Sequence, residues 1–153
     1  MHRKSVSRRW MLATILCGCG LLASGASVMA QSNDGQCSIR TLFGDYGFAA
    51  EGVLLPAPGV SLTFRSVGVA HFDGRGNLTW VEHTVVNGTL LEPGWTEASG
   101  SYIVNPNCTG TAVVNTPNSP VPLNLAFVVV RQGKEVHTVL DSHAIATVFI
   151  KVE

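Results

Sequence analysis

Beyond residue 30, no ten-residue segment of this chain carries an apolar stripe at helical spacing, which argues against helices as its building units. Charge is scarce: Asp, Glu, Lys and Arg make up 13% of the residues. Four of the ten basic residues (Arg3, Lys4, Arg8, Arg9) and all three methionines (Met1, Met11, Met29) fall within the first thirty positions. The remainder holds six basic residues against ten acidic ones, a formal charge of −4, and so has no basic footprint for nucleic acid or anionic membrane. Chemistry-bearing motifs are missing as well. There is no Gly-x-Ser-x-Gly elbow, no phosphate-cradling glycine loop followed by a helix, and no CxxC pair. His71, His83, His137 and His143 stand at none of the i, i+2 or i, i+4 spacings of a zinc pair, although a site assembled across strands stays open.

What is present begins with a leader. Residues 1–30 show a basic head, an apolar middle from Trp10 to about Leu22, and a small-residue exit at Val28-Met29-Ala30. The apolar run is too short for a convincing membrane span, so cleavage near Gln31 and export to the periplasm or the extracellular space are expected. Ser7-Arg8-Arg9-Trp10-Met11-Leu12 is similar to a twin-arginine signal and Leu16-Cys17-Gly18-Cys19 to a lipoprotein box, which leaves the route open beside general secretion. Residues 31–153 then form one domain with two cysteines, Cys37 and Cys108. In an oxidising compartment the simplest reading is one disulfide closing a loop of roughly seventy residues, about 4 kcal/mol in the chain-entropy model. The rival is a pair of free or metal-binding thiols.

Valine, threonine and aromatic residues dominate this domain, cut by Gly, Pro and Asn every 8–14 residues or so. Strands are expected at 45–55, 60–72, 78–87, 95–104, 108–115, 123–131, 134–141 and 144–152. Short turns favour an antiparallel meander, and eight such strands close into an all-β up-and-down barrel; a two-layer β-sandwich is the alternative. Pairing Ala50 with Ser66 and Leu54 with Leu62 puts Tyr46, Phe48, Leu54, Leu62, Phe64, Ala70 and Phe72 on one face. Asp45, Glu51, Arg65, His71 and Asp73 then share the other face, with Glu51 opposite Arg65. Carried round the turn Asp73-Gly74-Arg75-Gly76-Asn77, the same register turns Trp80 inward opposite Ala70 and Glu82 inward opposite Gly68. That turn reads as a hairpin and not as a calcium loop, since Arg75 opposes a cation and only one carboxylate is present. Glu82 on an apolar face needs a partner, a water or a proton.

The segments CSIRTLFGDYGF, VAHFDGRGN, SGSYIVNPNCTGT and FVVVRQGKEVHTVL, in this order, resemble a family of small exported bacterial proteins without established activity. The resemblance implies a barrel similar to those of allene oxide cyclases and, more distantly, lipocalin-like calycins, which bind or cyclise apolar molecules in the lumen. None of their functional residues maps onto this sequence one by one. The residues themselves suggest a candidate lumen set of Tyr46, Trp80, Glu82 and Tyr102. Such a set suits a small apolar ligand, or proton transfer by Glu82 in an isomerase or cyclase; otherwise these side chains simply fill the interior. No cofactor and no metal are expected. The leading expectation is an exported, non-enzymatic barrel, either binding an apolar molecule or serving as a structural surface or periplasmic module.

Overall fold

The computed structural model describes residues 36–91 and 94–153, so the predicted leader lies outside the described residues. The chain is all-β. The strands are β1 (Phe43–Ala57), β2 (Val60–Asp73), β3 (Asn77–Val86), β4 (Thr89–Leu90), β5 (Thr96–Val104), β6 (Thr109–Asn115), β7 (Leu123–Val130), β8 (Glu135–Leu140) and β9 (Ala144–Lys151). Every pairing is antiparallel. Eight strands form a closed ring because β1 pairs with both β2 and β9, while β3 pairs with both β2 and β5. The sandwich alternative fails on those pairings, which leave no seam between two sheets. The two-residue β4 is an addition the strand pattern did not show; it folds back on the end of β3.

The ring forms because polar and apolar residues alternate along each strand, which lets one face be enclosed. The register is the one the alternation demands: Ala50 faces Ser66, Leu54 faces Leu62, Glu51 faces Arg65, Ala70 faces Trp80 and Gly68 faces Glu82. Tyr46, Phe48, Ala70, Phe72 and Trp80 are buried inside, and Leu54 and Phe64 pack partly buried against them. Ring contacts fill the middle of the barrel. Phe72 meets Tyr46 and Tyr102 edge-on at 5.2 and 5.1 Å, and Phe48 lies 5.8 Å from Trp80 and 5.1 Å from Phe149. Each such ring stabilises the fold by roughly 1.5–3 kcal/mol relative to exposure. Gly68 is required by this packing: a Cβ there would fall 2.5 Å from the Phe48 ring and 2.1 Å from the Val81 carbonyl oxygen.

The two ends of the barrel differ. At one, a 3-10 turn at Ile39–Thr41 lies over the opening, and Leu42 behind it is fully buried. The disulfide Cys37–Cys108 ties this segment to the β5–β6 turn, with a sequence separation of 71. A second 3-10 turn, Arg131–Gly133, closes against it; a Cβ on Gly133 would sit 2.3 Å from the Thr41 carbonyl oxygen. The opposite end carries the β1–β2 turn, the β3–β4 hairpin and the β6–β7 and β8–β9 connections. Leu55, Leu90, Leu91, Trp95 and Val121 are exposed there.

Candidate functional site

The four lumen residues occupy two separate places. Tyr46 and Tyr102 belong to the plugged end, joined through the Phe72 ring that lies between them. The Tyr46 hydroxyl donates to the Gly133 carbonyl at 2.5 Å, and that of Tyr102 donates to the Leu42 carbonyl at 2.9 Å and the Ile39 carbonyl at 3.2 Å. Both phenols therefore bond to the backbone of the segments that plug this end. Burial pushes their pKa values above the ordinary phenol range. Lys151 reinforces this end, its ammonium 5.9 Å from the centre of the Tyr46 ring.

Glu82 belongs to the other end, and no tyrosine reaches it. It is 6% exposed. Its Oε1 accepts from the Thr116 hydroxyl at 2.8 Å and from Asn118 Nδ2 at 3.2 Å; its Oε2 accepts a longer bond from the Ser66 hydroxyl at 3.4 Å. Thr84 continues the chain by donating to the Ser66 oxygen at 2.9 Å. Ser66 and Thr84 reach inward from β2 and β3, while Thr116 and Asn118 come from the β6–β7 connection. Among the described residues no ion pair involves Glu82. A buried carboxylate without a cation is stable only when hydrogen-bonded, and this one has neutral donors on both oxygens. The arrangement is a polar latch: one acid holds the β6–β7 connection over the barrel end.

Trp80 packs between these regions, against Phe48. With Thr138 it lines a cavity inside the barrel of about 20 Å³, whose remaining wall is apolar. Trp80 Nε1 and Thr138 Oγ1 have no hydrogen-bond partner among the described residues. A space of that size has room for about one water and is far below the few hundred cubic ångströms of a ligand pocket.

The hydroxyl and amide partners of Glu82 were absent from the sequence-level candidates. Ser66 and Thr84 were findable, since both share its inward parity on neighbouring strands. Thr116 and Asn118 sit 34 and 36 positions away in a loop, where alternation gives no signal. At the β2–β3 turn, Asp73 accepts from the backbone N–H groups of Arg75 and Asn77 at 2.7 and 2.9 Å and from the Asn77 side chain at 2.7 Å. These bonds, the Asn77 amide foremost, lower its pKa from 3.8 to about 2. Its carboxylate is thus engaged by the turn itself. Among the described residues no three His, Cys, Asp or Glu side chains cluster as a metal site would require. No family model, curated protein or solved structure matches the chain.

Proposed function

We propose that this chain is an exported, non-enzymatic β-barrel module that works through its outer surface, its interior serving as core. The observation that carries the reading is the packed lumen, with about 20 Å³ unfilled. Tyr46, Tyr102 and Glu82 support it, since each bonds within the chain in place of pointing at free space. The disulfide suits an oxidising compartment, and no helix among the described residues is long and apolar enough to cross a membrane. The kinship to calycin-like and allene oxide cyclase-like barrels then extends to architecture and not to their use of the lumen. Native mass spectrometry of gently purified protein is expected to give the mass of the bare polypeptide or its multiples. A retained small apolar molecule would replace this reading with the lumen-binding one.

The second reading, an isomerase or cyclase using Glu82, draws on the burial of that acid, at the end of the barrel where Leu55, Leu91 and Trp95 are exposed. It requires the β6–β7 connection to lift away from Glu82. Its test is Glu82→Gln in any assay that shows turnover: unchanged turnover removes the assignment.

A further inference from the structure

The outer wall of β1 and β2 is complementary to itself under a two-fold rotation. Going along the pair, Asp45 faces His71, Gly47 faces Val69, Ala49 faces Val67 and Glu51 faces Arg65, all on the outside of the barrel. Each line of this register matches something to its opposite. The two end lines pair an anion with a cationic or protonatable group: Glu51–Arg65 at 3.6 Å and Asp45–His71 at 2.7 Å. The two middle lines pair a small residue on β1 with a valine on β2. Val67 and Val69 stand 51% and 44% exposed, and Val67 shares with Ala49, Glu51, Arg65 and Val148 the lining of a shallow concavity of about 510 Å³.

Consider a second copy laid face to face, with the symmetry axis running along the strands between β1 and β2. The rotation exchanges the two strands and keeps each line at its level. The valine ridge of one copy then lies on the Gly47–Ala49 furrow of the other, twice over. Arg65 of each copy meets Glu51 of its mate, and His71 meets Asp45, so polar pairs bracket the apolar centre above and below. Such lengthwise contact is the aligned packing of two twisted sheets, and reciprocal contacts of this kind define an isologous interface. An unrelated partner would have no reason to match both patterns with the strands exchanged.

We propose that the protein forms a two-fold dimer through the outer face of β1 and β2, with Val67 and Val69 seated on Gly47 and Ala49. This rests on the outer-surface reading above and names its partner as a second copy of the chain. The test is sedimentation of the full chain, exported under its own leader. A reversible dimer is expected. Glu51→Arg and Arg65→Glu, both at exposed positions, should each weaken it about tenfold or more, because like charges then face across the axis. An equimolar mixture of the two variants should associate again, since every cross-axis contact is then of opposite sign. A monomer at all accessible concentrations overturns the proposal, as does a dimer indifferent to both substitutions or a mixture that stays monomeric. Mass spectrometry separates the failures: a monomer free of ligand removes the dimer alone, while a monomer carrying an apolar ligand removes the outer-surface reading too.

Discussion

Glu82 shows what a single inward-facing acid does in a packed barrel. Its carboxylate collects the Thr116 hydroxyl, the Asn118 amide and, at longer range, the Ser66 hydroxyl. Removing it would leave the buried Thr116 and Ser66 hydroxyls without that acceptor, which costs more than the bonds themselves contributed. Glu82→Ala is therefore expected to lower unfolding free energy by about 2–3 kcal/mol, read from the denaturant midpoint. Glu82→Gln keeps an acceptor for Thr116 and can donate to Ser66, so it should lose less than half as much. Equal losses in the two variants would show that charge, and not the hydrogen-bond latch, is what matters. The sequence already placed Glu82 inside, because parity counted from Tyr46 leaves no other choice. It did not supply the partners, which are hydroxyls and an amide and include neither lumen tyrosine. A tyrosine hydroxyl ends several ångströms from its own backbone, and strand parity does not say toward which end of the barrel the ring leans.

At the level of strands and turns the sequence was most legible. The pairs Phe72–Leu78, Ala70–Trp80 and Gly68–Glu82 all follow from a five-residue turn of fixed geometry and a side-chain period of two. What escaped were pieces too short to show any period: β4, with two residues, and the 3-10 turn at Ile39–Thr41. The β2–β3 turn carries its own prediction. Asp73 has a folded-state pKa of about 2 against an ordinary 3.8, so its ionised form is favoured by folding. Its contribution is complete above about pH 4 and is lost as pH falls through about 2. Asp73→Asn should reduce the slope of stability against pH over that interval, followed by denaturant titrations at successive acidic pH values. A slope identical to that of the parent protein would mean the turn bonds do not distinguish the charged form.

For the whole molecule, the Cys37–Cys108 bond joins the segment that plugs the barrel to the β5–β6 turn at the same end. By chain entropy alone, a closed loop of this length contributes about 4 kcal/mol. Replacing both cysteines by serine is expected to shift the unfolding midpoint by that order while leaving the strand signal in circular dichroism unchanged. A loss near zero would mean the Ile39–Thr41 turn is held by its packing and by the Tyr102 hydrogen bonds. Pairing these two cysteines was legible because only two of the four lie beyond residue 30. That the bridge fastens a lid was not, since nothing in a run of alternating residues says which opening a terminal segment will cover.

The pairing of β9 with β1 has a consequence for the order of events in the cell. Tyr46 near the beginning lies beside Lys151 near the end, and Asp45 receives a backbone bond from Val152. Until β9 emerges, β1 and β8 each present an unsatisfied edge, the kind of surface on which nascent chains stick to one another. The ring is not sealed strand by strand; it closes only once Ala144–Lys151 is available to pair with β1.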